Sequence, residues 1–199
     1  MKAMILAAGL GTRLQELTSN TPKALVKAGG LSLLERLISK MKVQGITEIV
    51  INVHHHADQI ISFLEEKNNF NISIKISHET DELLETGGGI FHARSLLGNE
   101  PFIVHNVDVL SDIDLRILYQ EHINNSALAT LAVKNRNTSR FLLFDNDKLM
   151  HGWENRKTGE KIIPGDLSSS LQSLAFSGIH VIDPKIFDLY DRSGSFSII

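Results

Sequence analysis

Leu6-Ala7-Ala8-Gly9-Leu10-Gly11-Thr12-Arg13-Leu14, followed by Thr21-Pro22-Lys23, is the stretch whose reading decides the fold. The run that leads into it, Ala3-Met4-Ile5-Leu6-Ala7-Ala8, is apolar without alternation and reads as a fully buried central strand. Gly9 and Gly11 then end the strand. They reach backbone angles that other residues avoid, and they leave no Cβ to hold a ligand away from successive N–H donors. Arg13 adds a fork of donors suited to phosphate oxygens. Lys23, placed after a proline of fixed φ, adds a compact charge. The sum is a cradle for phosphates. It is neither Gly-x-Gly-x-x-Gly, because Leu14 stands where the third glycine belongs, nor a Walker A loop.

Working outward, the polar bend Lys27-Ala28-Gly29-Gly30 leads into Ser32-Leu33-Leu34-Glu35, a capping box that opens a helix with one face at Leu34, Leu37, Ile38 and Met41. Gly45 is a plausible stop, and Glu48-Ile49-Val50-Ile51-Asn52-Val53 is the next strand. A strand, a helix and a strand at this spacing predict a βαβ unit with parallel strands and a right-handed crossover. A helix is expected over 57–66, an alternating strand over 72–76, and a buried strand at Pro101-Phe102-Ile103-Val104-His105. Glu85-Thr86-Gly87-Gly88-Gly89 opens a further helix and offers flat backbone access to a planar group. Asp108 follows the 101–105 strand, where a carboxylate projects into the crevice in which open α/β sheets bind ligands; Mg²⁺ would sit there. Asp112 and Asp114 read as caps for a helix over 115–122. A strand over 128–133 and a hairpin over 141–153 come next, and 154–172 reads as polar and irregular. A strand over 174–181 precedes Asp183-Pro184, a cap with proline at the first helical position.

Composition sets the limits. A chain of 199 residues with 42% hydrophobic content buries one good core, so a single domain is expected. A formal charge of −3 argues against nucleic acid as partner. With no cysteine there is no disulfide framework, thiolate nucleophile or thiolate metal site. Three adjacent histidines, His54-His55-His56, point in different directions in extended chain and make a poor metal site. Met1-Lys2-Ala3-Met4 lacks a signal-peptide h-region and no apolar run is long enough to span a bilayer, so a cytoplasmic protein without a membrane partner is expected.

The string Leu6-Ala-Ala-Gly-x-Gly-Thr-Arg-Leu14, with Leu17-Thr18 and Pro22-Lys23-x-Leu25, resembles the signature of the sugar-1-phosphate nucleotidyltransferases, which make nucleotide sugars. That resemblance implies an α/β fold: a Rossmann-like three-layer sandwich with a mostly parallel central sheet and a small β-hairpin insertion. Residues 1–110 would form a nucleotide-binding half and 111–199 a sugar-phosphate-binding half. The substrates would be an NTP and a sugar-1-phosphate, the cofactor Mg²⁺ on Asp108, and the protein a monomer or homodimer. Ala8, Gly9, Gly11, Thr12 and Arg13 would hold the triphosphate, with Lys23 near the reacting centre. Thr86, Gly87, Gly88 and Asn106 would meet the nucleoside. In the same family an Asn-x-His-His segment borders the pocket, here Asn52, His54 and His55.

Lys23, Glu154, Asn155 and Gly178, the last in a Phe-Ser-Gly-Ile strand, would face the sugar and its phosphate. For the family's acidic–basic pair, Glu154-Asn155-Arg156 and Glu160-Lys161 compete. Arg13, Lys23 and Asp108 carry the catalytic roles. The segment around Leu84 to Ile90 is most similar to the mannose- or heptose-1-phosphate guanylyltransferase and N-acetylmuramate-1-phosphate uridylyltransferase branches. UTP and GTP are therefore both open as donors, with uridylyl transfer slightly ahead. The family's second metal carboxylate, from a Trp-x-Asp-x-Gly-like segment, has no counterpart before Ile199, so the sugar half is expected to be truncated. A non-catalytic nucleotide-binding module and a cytidylyltransferase acting on an alcohol phosphate are the alternatives.

Overall fold

The computed structural model describes residues 1–9, 11, 18, 20–165, 170–190 and 192–199. Strand β1, Lys2–Leu6, takes a parallel partner on each side, β4 (Glu48–Val53) and β6 (Phe102–Asn106). Beyond β4 lies β5, Ser73–His78, also parallel. Leu6 pairs with Asn52 on one side and Asn106 on the other. The chain therefore runs outward from β1 through β4 to β5 and then returns to the opposite side for β6. That reversal opens a crevice at the carboxyl ends of β1 and β6, where doubly wound sheets bind ligands. The sheet is mostly parallel, and its central strands β1, β4 and β6 are nearly continuous buried apolar runs, whereas β5 at the edge alternates.

Between β1 and β4 come a short 3-10 turn at Lys23–Leu25, a small antiparallel pair β2 (Lys27–Ala28) and β3 (Leu31–Ser32), and helix α1 (Leu33–Val43). The Ser32 hydroxyl accepts from Glu35 N–H at 3.0 Å, as the capping box predicts. The Glu35 carboxylate itself takes Lys67 Nζ at 3.1 Å. The helix stops in a Schellman arrangement: Gly45 has φ +80°, its N–H donates to Lys42 O, and Ile46 N–H donates to Met41 O, both at 3.1 Å. Helix α2, Ala57–Glu66, leads into β5. Helices α3 (Glu85–His92) and α4 (Arg94–Leu97) precede β6, and α5 (Leu115–Asn124) follows it. Of the two aspartates expected to cap α5, Asp114 does so, accepting from Arg116 N–H at 2.9 Å.

The chain divides into two compact units, Met1–Thr130 with His180–Ile198, and Leu131–Ile179 with Ile199. In the first, Met4, Val50 and Val104 on one sheet face pack with Ile90, Ala93 and Leu97 of α3 and its neighbours, and with Phe187 of α6 (Ile186–Leu189). The neighbouring positions in these strands, Ile5, Ile51 and Ile103, point to the other face and are fully buried. Helices α1 and α2 have their own buried stripes, Leu34, Leu37, Ile38 and Met41 in the one and Ile60 and Leu64 in the other.

The second unit is antiparallel. Strands β8 (Arg140–Phe144), β9 (Met150–Asn155) and β10 (Glu160–Ile162) form a meander, and β11 (Gln172–Ile182) pairs with β8 from Gln172↔Phe144 to Leu174↔Leu142. Strand β7, Ala129–Lys134, pairs with β11. The stretch read as irregular from residue 154 thus contains the end of β9 and all of β10. Polar strands on a hairpin rim lack the alternation that would reveal them.

Candidate active site

The crevice at the carboxyl ends of β1 and β6 holds a cleft of about 320 Å³. Ala8 and Gly9 line it from the loop after β1, Asn106 and Asp108 from the end of β6, Asn52 from β4, and Thr86 from α3. Gly11 is required by its surroundings. Its φ is +66°, and a Cβ there would lie 2.8 Å from Thr18 Cγ2 and 3.2 Å from Lys23 Cβ. Thr18 closes the loop by donating its hydroxyl to Gly11 O at 3.1 Å. Gly9, by contrast, has open space where a Cβ would stand. Thr12 and Arg13, expected to complete the cradle, lie outside the described residues.

Pro22 opens the 3-10 turn, whose Leu25 N–H donates to Pro22 O at 2.8 Å, and Ala24 is fully buried. With its neighbour anchored in the core, Lys23 is left to face the cleft. There Lys23 Nζ forms an ion pair with Asp108 Oδ2, the two residues standing 85 positions apart in sequence. Beneath them Val107 N–H continues the ladder to Leu6 O at 3.2 Å, which fixes where the chain leaves β6. His105 is fully buried and its Nδ1–H donates to Asn106 O at 2.8 Å. Burial holds its pKa down at about 4, with Lys40 pushing the same way against Asp108.

The opposite wall corrects the sequence reading of the glycine run. Gly87, Gly88 and Gly89 lie inside α3 and are all buried. The N-cap position, Leu84, supplies no side-chain acceptor. The Phe196 carbonyl takes that place, accepting from Gly87 N–H at 2.9 Å and Gly88 N–H at 3.1 Å, while Phe196 N–H donates to Leu84 O at 3.1 Å. A Cβ on Gly87 would overlap the Phe196 ring, and one on Gly88 would overlap Gly194 O. A Cβ on Gly89 would lie 2.7 Å from Glu79 Oε1. Gly87 and Gly88 therefore seat the chain's own residues 194–196, Gly89 leaves room for Glu79, and the N–H groups of Gly87 and Gly88 donate to Phe196 O. Thr86 does line the cleft, as does Ser197 beside Phe196.

Glu79 carries no sequence signal, standing among exposed polar neighbours, yet it is buried. Its Oε1 accepts from Asn52 Nδ2 at 2.6 Å, its Oε2 from Leu84 N–H at 2.9 Å, and its carbonyl from His54 Nδ1–H at 2.7 Å. One carboxylate thus fixes both Asn52 and the approach to α3. Of Asn52, His54 and His55, only Asn52 lines the cleft. Among the described residues no three His, Cys, Asp or Glu side chains cluster as a metal-binding group.

Glu154, Asn155 and Gly178 belong to the second unit. The two segments that compete for the acidic–basic pair are cross-strand neighbours, with Lys161 opposite Glu154 and Glu160 opposite Asn155. Glu154 Oε1 accepts from Arg156 Nε at 2.7 Å and from Ser173 Oγ at 3.1 Å. Asn155 Oδ1 accepts from Lys157 N–H at 3.1 Å and so shapes the β9–β10 turn. Gly178 bends β11 with φ +75°.

A profile of the nucleotidyl transferase family matches residues 2–189. The chain belongs to the nucleotidyl transferase family. Similar members include an N-acetylmuramate alpha-1-phosphate uridylyltransferase of Neisseria meningitidis, 44% identical over 130 residues that make up 62% of this chain and 56% of that one. A probable mannose-1-phosphate guanylyltransferase of Oryza sativa is 36% identical over 137 residues, 67% of this chain and 38% of that one. The chain spans about half the length of the curated relatives it matches. Among solved structures, HddC from Yersinia pseudotuberculosis complexed with GMP-PN superposes with a TM-score of 0.78 at 25% identity, covering 98% of this chain and 82% of that one. The family's fold is the Rossmann-like fold of nucleotide-diphospho-sugar transferases, as the β1 motif implies.

Proposed function

We propose that the chain transfers a nucleoside monophosphate from an NTP to a sugar-1-phosphate, releasing pyrophosphate. The observation that carries this reading is the meeting of Lys23 and Asp108 in one cleft beside the glycine loop of β1. A sugar-1-phosphate oxygen attacks the α-phosphorus in line, the new P–O bond forms, and the bond from the α-phosphorus to the bridging oxygen breaks. That phosphate is already ionised at neutral pH, so orientation and charge neutralisation are the tasks and no general base is needed.

Lys23 is proposed to supply a positive charge beside the reacting phosphates, and the Gly9–Thr12 amides to supply N–H donors. Arg13 is proposed to hold the terminal phosphates. Asp108 is a hard oxygen donor in the cleft, ion-paired with Lys23 Nζ, and one carboxylate of this kind suits Mg²⁺ completed by substrate phosphate. Bound there, Mg²⁺ would neutralise charge on the α-phosphoryl group. Glu154, Asn155 and Gly178 are proposed sugar contacts, so substituting them is expected to raise KM for the sugar-1-phosphate and to leave NTP binding unchanged. The names of the relatives support UTP or GTP as donor.

Pyrophosphate release measured with each of the four NTPs and a panel of sugar-1-phosphates, with Mg²⁺, tests the proposal. Release with UTP or GTP is expected. NTP binding without release from any pair would make the chain a binding module instead, and release only with CTP and an alcohol phosphate would make it a cytidylyltransferase.

A further inference from the structure

In the proposed reaction Lys23 turns to a phosphate, so its ion pair with Asp108 opens and no longer ties together the two segments that carry them. A second tie runs through α1. Leu33 N–H donates to Val26 O at 3.0 Å and Arg36 Nη2 donates to Ala28 O, which holds the segment after Lys23. One turn further along the helix, Lys40 Nζ donates to Ser111 O at 2.6 Å and to Ser111 Oγ at 3.2 Å, which holds the segment after Asp108. Arg36 and Lys40 line one groove with Ala28 and Ser111, and neither lines the cleft that holds Lys23 and Asp108. Like charges at this helical spacing repel, so the pair does nothing for α1 itself. Burial lowers the Lys40 pKa, with Asp112 and Asp114 opposing.

The exit from Asp108 depends on this grip. Val109 N–H donates to Asn106 O at 3.2 Å, but residues 110–112 make no main-chain to main-chain hydrogen bond among the described residues. We infer that Arg36 and Lys40 are positioning residues for nucleotidyl transfer, which hold the Lys23 and Asp108 segments to one face of α1 and so keep the two charges in register after their own ion pair has opened. The inference rests on the nucleotidyl-transfer reading of the cleft.

Pyrophosphate release by Lys40→Met, which keeps an apolar stem and removes the donors, tests it. The kcat is expected to fall about tenfold with KM for the NTP within about twofold, since a displaced reacting group costs rate more than binding. Lys40→Arg, which restores a donor, is expected to return kcat to within about threefold of the intact chain. In an Asp108→Ala background, Lys40→Met is expected to change kcat by less than about twofold, because the group it positions is gone. Arg36→Met, in the intact chain and against Lys23→Ala, repeats the cycle from the other segment and decides the matter if Lys40→Met does not fold. A lowered urea midpoint with unchanged kcat, or the same tenfold loss with and without Asp108, overturns the inference alone. No release by the intact chain with any substrate pair overturns the nucleotidyl-transfer reading and the inference with it.

Discussion

At the scale of single residues, the cleft brings together two opposite charges, Lys23 and Asp108, and places where no side chain fits. Lys23→Ala and Asp108→Ala are each expected to slow pyrophosphate release on the order of a hundredfold or more, since each removes a charge fixed in place before the reaction. Retention of turnover in both variants would remove these residues from the reacting centre. Gly11→Ala puts a methyl against Thr18 at a backbone angle that disfavours it, and is expected to cost on the order of 1–3 kcal/mol in chemical denaturation. Gly88→Ala is predicted to be worse tolerated than Gly9→Ala, because the Gly88 methyl meets the Gly194 carbonyl and the Gly9 methyl meets open space. A comparison of the two melting temperatures decides that. The β1 motif announced glycines in the loop after β1, and at Gly11 the turn itself requires one, with φ +66° and Thr18 where a Cβ would stand. The run at 87–89 was legible as important but not for its reason, because a glycine made necessary by a ring 109 residues later leaves no local trace (Phe196 minus Gly87).

Among the elements, helix ends decide how securely the site is held. Ser32→Ala removes the acceptor for Glu35 N–H and is expected to cost about 1 kcal/mol, read as a shift in denaturation midpoint. The consequence for the cleft is indirect, since the far end of α1 grips the segment after β6: Lys40 Nζ donates to Ser111 O at 2.6 Å and Gln44 Oε1 accepts from Leu115 N–H at 3.1 Å. Helix α1 was readable from both its caps and its stripe, because those signals lie close together between Ser32 and Gly45. Glu79 was not, since a buried carboxylate looks in sequence like the surface acids Asp81 and Glu82 beside it. Its role comes from Asn52 and Leu84, which only the fold brings near. Strand β10 escaped for a different reason, since Glu160-Lys161-Ile162 is wholly exposed and offers no apolar face to count.

For the molecule as a whole, the buried imidazoles set a response to acid. Burial depresses His105 to a pKa of about 4, and burial with the nearby His105 depresses His180 to about 3, both from 6.5. Both are bases whose folded pKa lies below the unfolded one, so the unfolded chain takes up protons first as pH falls through 6.5. Stability is therefore expected to be full above pH 6.5 and to decline on acidification, by up to about 1.4 kcal/mol per group per pH unit until about pH 4. Urea midpoints at pH 7, 6, 5 and 4 measure the slope, and His105→Gln is expected to flatten it. The parallel sheet and its crevice could be foreseen from apolar strands and the β1 turn. The identity of what closes α3 could not, because it is settled between Gly87 and Phe196, which are far apart in sequence. On a ribosome adding roughly 5–20 residues per second, on the order of ten seconds separate the making of Gly87 from that of Phe196. Throughout that interval the first turn of α3 waits for its acceptor, so the α3 side of the cleft is completed only once Phe196 has been made.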